Sequence, residues 1–313
     1  MIVLDEPPKW RIPWLPYPQL QRVDMRGKVC VVTGASSGIG LQTALRLAEW
    51  GAEVAVIGRH PKRTPEVCKA IRQYTSNPNV SEFIADFASL REVAELAERL
   101  ARRYSQIDLL VNNAGLWLQR RELTQDGYEQ TFAVNHLAPF LLTTRLLECL
   151  KAAPRARVVN VSSRLNEKVE RFKLEDWQVT ERRYWGIEVY GQSKLANVLF
   201  SNELARRLWA TNVTSNSLHP GDVATAVTRD NGFLDWGINW VGKRWLLTPE
   251  EGARTSLHVA THPSLRDTTG RYFSRLRVAN PCPLAHDTAL ARQLWELSEV
   301  LCQRALTPKS SDG

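Results

Sequence analysis

From residue 27 onward the chain alternates between short apolar runs and longer stretches whose apolar positions recur every three or four residues. Val29-Cys30-Val31-Val32 and Val54-Ala55-Val56-Ile57 are runs of the first kind; continuous apolar, β-branched runs suit strands buried on both faces. Strands are expected at 28–33, 53–58, 81–85, 107–111, 156–161 and 212–218. Helical spacing fills the gaps and predicts helices at about 38–50, 64–75, 89–104, 124–150, 188–209 and 249–261. In the first of these, Leu41, Ala44, Leu45 and Ala48 share one face. Such alternation predicts a single doubly wound α/β domain, a parallel sheet with helices on both faces. No repeat with a period of about 20 to 50 residues is present, which excludes a solenoid.

The first 26 residues break the pattern. Pro7, Pro8, Pro13, Pro16 and Pro18 stand among Trp10, Trp14 and Tyr17, a density of proline that excludes a regular helix and favours an extended arm. The arm either packs on its own domain or presents its aromatics to a membrane or partner. The expected organisation is therefore an arm over 1–26, the α/β domain over 27–305 and a tail over 306–313.

Composition adds exclusions. With 313 residues, 43% hydrophobic and 24% charged, the chain suits one large globular domain. No run approaches the roughly 20 apolar residues of a membrane span, and Met1 to Asp24 lacks the apolar core of a signal peptide. The net charge of +8 is spread along the chain without a compact basic, aromatic run, so no nucleic acid is expected as partner. Cys30, Cys68, Cys149, Cys282 and Cys302 are scattered and odd in number, which fits free thiols in a reducing compartment. The histidines form no metal-binding spacing, and no metal is expected. The location that follows is cytoplasmic, with peripheral membrane contact through the arm as the sharper alternative.

Chemistry enters at Thr33-Gly34-Ala35-Ser36-Ser37-Gly38-Ile39-Gly40, between the first strand and the first helix. Glycines there admit a pyrophosphate close to the backbone, and the helix N-terminus offers it free N–H groups and a positive dipole end. That is the Rossmann-type arrangement. Where an acidic residue would bind a free ribose 2′-hydroxyl, the second strand ends instead in Gly58-Arg59-His60, and an arginine there favours a 2′-phosphate, hence NADP(H). Asp86, and Asn112-Asn113-Ala114-Gly115, also lie at carboxyl ends of strands. Asn135 falls inside a helix, where an asparagine competes with the backbone and so caps a bend or has a task.

Ser162 and Ser163 close the fifth strand, and Tyr190-Gly191-Gln192-Ser193-Lys194 opens the next helix. Tyr190 and Lys194, four apart, share a helical face. An ammonium beside a phenol favours the phenolate and is expected to lower its pKa for acid–base work. A serine hydroxyl nearby could hold a substrate oxygen.

Taken in order from Lys28 to Val223, these motifs resemble the short-chain dehydrogenase/reductase family. The details are similar to its retinol dehydrogenase-like branch, as in Phe132-Ala133-Val134-Asn135-His136-Leu137-Ala138-Pro139, Ser193-Lys194-Leu195-Ala196-Asn197, Gly270-Arg271-Tyr272-Phe273 and Leu294-Trp295-Glu296-Leu297-Ser298. The resemblance implies Tyr190 as acid/base, Lys194 lowering its pKa and binding the nicotinamide ribose, Ser163 rather than Ser162 orienting the carbonyl or alcohol, and Asn135 holding a relay water. It implies that Gly34, Ser36, Ser37, Gly38, Ile39, Gly40, Arg59, Asp86, Phe87, Asn113, Ala114, Gly115, Pro220, Gly221, Val223 and Thr225 surround the cofactor. A lid over 226–248 would cover the substrate, and its Trp236 and Trp240 suit a lipophilic molecule. Relatives pair through helices near 124–150 and 190–208, so a homodimer or a monomer is expected. The retinol branch commonly begins with a hydrophobic anchor, and here the Pro/Trp arm stands instead. The stretch between the serines and Tyr190, with Glu175, Asp176, Trp177, Arg182, Arg183, Tyr184 and Trp185, points to a mouth particular to this chain.

The reading is an oxidoreductase interconverting carbonyl and alcohol on a retinoid, steroid or fatty aldehyde. Two alternatives stay open. A double-bond reductase resembling protochlorophyllide reductase would place a cysteine where Asp222 follows Pro220-Gly221. A non-catalytic NADP(H)-binding scaffold would have no use for Tyr190 and Lys194.

Overall fold

Burial of continuous apolar strands needs cover on both sides, and the computed structural model, which describes residues 20–221 and 247–307, supplies it. The strands are β1 (Val29–Thr33), β2 (Glu53–Gly58), β3 (Val80–Ile84), β4 (Leu109–Asn112), β5 (Ala156–Val161), β6 (Val213–His219), β7 (Tyr272–Ser274) and β8 (Arg277–Ala279). They form one sheet in the order β3-β2-β1-β4-β5-β6-β7-β8. Every neighbouring pair is parallel except β7 and β8. The doubly wound Rossmann-type fold expected from the alternation is the fold observed. Strand order reverses between β1 and β4, which opens a crevice at their carboxyl ends, the place where such sheets bind ligands.

Helices α1 (Gly38–Glu49) and α2 (Arg63–Thr75), with the helix Pro249–Thr261, cover one face; α3 (Leu90–Arg103), Ala138–Arg145, Gly186–Arg207 and Thr288–Leu306 cover the other. Each face has its own apolar cluster. Met25 is already buried against the first, its N–H donating to the Trp50 carbonyl at 2.9 Å. Packing therefore begins ahead of the first strand.

Three elements differ from expectation. The helix expected over 124–150 is instead a series: Gln130–Phe132, a π-helical turn Ala133–Leu137, then Ala138–Arg145 and Leu147–Ala152. Its start is delayed because the Glu129 carboxylate accepts from the Thr131 and Phe132 N–H groups and acts as the cap. The wide turn has a local cause too, since Pro139 cannot donate to the Asn135 carbonyl as an α-helix requires. The hairpin β7–β8 was not expected at all. Its two-residue loop is Arg275-Leu276, both at positive φ (48° and 63°), with none of the Asn or Gly that announces such turns.

The third is the helix Thr288–Leu306, absent from the expected elements. Its Trp295 packs edge-on against Phe140 (centroids 4.9 Å apart) and at 5.8 Å from Phe200. Ser298 and Cys302 bond to His136 and the Leu137 carbonyl. This helix lies on the segments that the family resemblance offered for pairing.

Candidate active site

The glycine turn holds three positive or crowded positions. Gly34 (φ +64°) and Gly38 (φ +56°) take conformations that L side chains rarely adopt. A Cβ at Gly34 would lie 2.9 Å from Ala114 Cα, and one at Gly40 would collide with Asn113 Nδ2 and the Gly34 carbonyl oxygen. The expectation gave every glycine to the pyrophosphate; Gly34 and Gly40 are instead required by the protein's own packing onto the β4 loop. Asn113 explains the crowding. Its Nδ2 donates to the Thr33 carbonyl (2.8 Å), while its N–H and that of Ala114 both donate to Thr33 Oγ1 (2.9 Å each). Thr33, which sequence reasoning passed over as the last strand residue, thus ties the β1 and β4 loops together.

At α1, the N-cap Ser37 makes no side-chain capping bond, and the first turn carries no acid. With Ser36, Ser37 and Ile39 framing that turn, its N–H groups and dipole suit an anion. At the far end, Gly58 admits no side chain because Thr64 Oγ1 and Ser36 stand against it. The exposed Arg59 follows directly. Asp86 is exposed as well, one carboxylate oxygen accepting from Ala88 N–H and its own N–H donating to Glu92. Phe87 turns its ring into the core. This chain of groups, an uncapped helix start, a crowded glycine turn and a cation past β2, fits a dinucleotide phosphate.

The reacting end is built from β5 and the helix Gly186–Arg207. Ser162 is buried, donating its hydroxyl to the Lys194 carbonyl (2.7 Å) and its N–H to the Leu218 carbonyl (2.7 Å). Ser163, the next residue, stands at the end of the strand; its Oγ accepts from Leu165 N–H at 3.3 Å and its hydroxyl faces the Tyr190 phenol closely enough to pull that phenol's pKa down. Lys194 is 3% exposed; its ammonium donates to the Val161 carbonyl at 3.1 Å and sits 5.6 Å from the centre of the Tyr190 ring. Burial pushes the Tyr190 phenol up to about 12, with the Ser163 bond pulling it down by less. Burial also pushes Lys194 down to about 8. The net effect on Tyr190 is therefore a rise rather than the expected lowering, because burial outweighs the pull of Ser163 while the Lys194 ammonium is engaged by a backbone carbonyl.

Asn135, fully buried in the π turn, accepts from Leu116 N–H (2.8 Å) and donates to the Leu116 carbonyl and to Ser193 Oγ (2.9 Å each). A Cβ on Gly115 would stand 3.0 Å from Lys194 Nζ and 3.1 Å from Asn135 Oδ1. Gly115 thus keeps open the point where the two groups converge. Past β6, His219 Nδ1 accepts from the N–H groups of Arg164 (3.1 Å) and Gly221 (3.4 Å), joining the Pro220-Gly221 turn to the residue after Ser163. Val223, Thr225, Trp236, Trp240 and the lid up to residue 246 lie outside the described residues. Trp117, which follows the β4 motif and was not singled out, brings its ring to 6.5 Å from that of Tyr190. An aromatic two residues beyond Asn-Asn-Ala-Gly was the available signal.

A crevice between β1 and β4, lined by a glycine turn and facing a Ser, Tyr and Lys, defines a nucleotide-dependent oxidoreductase of the short-chain type. The short chain dehydrogenase family model matches residues 28–175, and the chain belongs to the short-chain dehydrogenase/reductase family, whose members bind a nicotinamide cofactor. Within it the chain falls in the retinol dehydrogenase-like branch. It is 39% identical to human retinol dehydrogenase 13 over 280 residues, covering 88% of this chain and 84% of that one. It is also 39% identical to mouse retinol dehydrogenase 14, with 88% and 86% covered. Among solved structures, an uncharacterised protein from Mycobacterium paratuberculosis superposes with a TM-score of 0.73 at 31% identity, covering 89% of this chain and 94% of that one. A structure described as a short chain dehydrogenase from Shigella flexneri 2a, complexed with NADP, reaches 0.65 at 25% identity, with 82% and 100% covered. Among the described residues no helix is long and apolar enough to cross a membrane.

Proposed function

We propose that the chain is an NADP(H)-dependent reductase of carbonyl groups on lipophilic molecules of the retinoid, steroid or fatty aldehyde type. The observation that carries this is the Ser163, Tyr190, Lys194 group standing across the crevice from the uncapped start of α1. Arg59, with no acid at the end of β2, supports NADP(H) over NAD(H), and the NADP complex of the Shigella relative points the same way. The names of the retinol dehydrogenases support the substrate class.

The hydride is the nicotinamide's to supply when bound. The protein's part is orientation and proton delivery. Ser163 holds the carbonyl oxygen against the Tyr190 phenol. With its pKa raised to about 12, that phenol is protonated near neutrality and serves as a general acid, which supports reduction as the working direction. Lys194, charged below about 8, would hold the nicotinamide ribose when the cofactor is bound. A water at the point that Gly115 keeps open would bridge Lys194 Nζ and the Asn135 amide oxygen and return the proton from solvent. Val223 and Thr225 would close over the nicotinamide amide, and Trp236 and Trp240 over the substrate.

The test is NADPH oxidation against a panel of retinoid, steroid and aliphatic aldehydes, with Tyr190→Phe as control. Turnover confined to the wild type supports the reading. Equal turnover by the Tyr190→Phe protein overturns it.

A further inference from the structure

His136 is fully buried, directly follows Asn135 in the π turn, and plays no part in the proton path above. Its surroundings are aromatic, with Phe132 at 5.0 Å and Phe140 and Phe200 at 6.2 Å between ring centres. Among the described residues one polar group bonds to the ring. Nε2 lies 2.8 Å from Ser298 Oγ, and that hydroxyl already donates to the Leu294 carbonyl at 2.6 Å. Ser298 Oγ is therefore the acceptor, and His136 carries its proton on Nε2. Nδ1 is buried without a hydrogen-bond partner among the described residues. Burial pushes the imidazole pKa down to about 3, so the ring is neutral throughout the working range.

The neighbouring positions give this arrangement its meaning. Ser193 and Lys194 are neighbours on the catalytic helix. One residue back in the π turn, Asn135 reaches Ser193 of that helix at 2.9 Å. The wide turn is thus fastened to the catalytic helix through Asn135 and Ser193. From the outside it is fastened to the helix Thr288–Leu306 through Ser298 and Cys302.

We propose that His136 is a positioning residue, a neutral strut that fastens the π turn to Ser298 of the last helix and so, together with the Asn135–Ser193 bond, keeps Asn135 aimed at Leu116 and Lys194. The inference rests on the reading of Tyr190 and Lys194 as the proton path. The strut touches neither substrate nor cofactor, and its effect reaches the chemistry through Asn135. Its loss therefore slows proton return while leaving cofactor affinity intact.

Two variants of the full-length chain test this with NADPH and the best aldehyde of the panel. His136→Phe keeps the aromatic packing and removes the bond to Ser298. It is expected to lower kcat about tenfold, with KM for NADPH within about twofold of wild type. The solvent deuterium isotope effect on kcat should rise, because proton return becomes limiting, and the Leu116 amide should exchange faster with deuterium. Ser298→Ala changes one atom and decides the matter if His136→Phe does not fold; a drop of about threefold with the same rise in isotope effect is expected. Wild-type kcat, isotope effect and Leu116 exchange in the folded variant overturn the proposal. Failure is separable from failure of the functional reading: an active Tyr190→Phe sinks that reading, whereas an inactive Tyr190→Phe beside a fully active His136→Phe sinks only the strut.

Discussion

The Ser162 hydroxyl donates to the Lys194 main-chain carbonyl across 2.7 Å. This bond splits the roles of two adjacent serines that the sequence leaves equivalent. Ser162 holds strand β5 to the catalytic helix, and Ser163 is left to the Tyr190 phenol. Ser163→Ala should therefore lower kcat by about 100-fold or more with little change in melting temperature. Ser162→Ala should cost about 1–2 kcal/mol of stability, from a buried carbonyl left unpaired, with a smaller loss of rate. Paired melting curves and initial rates separate the two; equal rate losses would refute the division.

Because Tyr190 stays protonated until about 12 while Lys194 loses its proton near 8, carbonyl reduction should hold level from about pH 6 to 7.5 and fall as pH rises through about 8. Stability should respond with the opposite sign. Lys194 has a folded pKa below its ordinary 10.5, so between about 8 and 10.5 the unfolded chain holds the extra proton. Raising the pH across that window therefore favours the folded state. Chemical denaturation of wild type and Lys194→Met at several pH values should show the wild type gaining on the variant across it. A constant difference would contradict the burial of a titrating Lys194.

Replacing Arg59 by Ala should weaken NADPH more than NADH. Loss of one charge-assisted bond to a 2′-phosphate corresponds to about 10- to 100-fold in KM for NADPH. The ratio of kcat/KM values for the two cofactors reads this directly, and an unchanged ratio would place the phosphate elsewhere.

Gly115→Ala puts a methyl group 3.0 Å from Lys194 Nζ and 3.1 Å from Asn135 Oδ1. A bridging water would be displaced. The expected outcome is a fall in kcat of about tenfold with NADPH binding retained, checked by cofactor fluorescence titration alongside turnover. Full activity would show that protons reach Tyr190 by another route.

How much of this was legible before the structure depends on what kind of signal each part leaves. The buried strands β1, β2 and β5 carry continuous apolar runs, and the helices between them carry a period, so the sheet and its crevice could be read directly. Tyr190 and Lys194 were readable because four residues is one helical turn. β7 and β8 are three residues each and joined by Arg275-Leu276, too short for a period and lacking turn residues. The π turn was hidden because Asn135 and Pro139 suit an ordinary helix boundary equally well. Thr33 and His136 act through hydrogen bonds across 80 and 162 residues of chain, to Asn113 and Ser298, distances that no local pattern encodes. The Tyr190 pKa went the wrong way for a related reason: spacing places an ammonium, but it does not show which carbonyl the ammonium is spending itself on.

The helix Thr288–Leu306 is made after all eight strands. A chain still being synthesised can complete the crevice between β1 and β4 from its first half, since domains gain structure from the N-terminal side as they emerge. The turn that carries Asn135 and His136 has no Ser298 and no Cys302 to lean on until the last helix has left the ribosome. A nascent molecule would therefore shape its dinucleotide crevice before its proton path, and competence would follow as a separate event once that helix has docked.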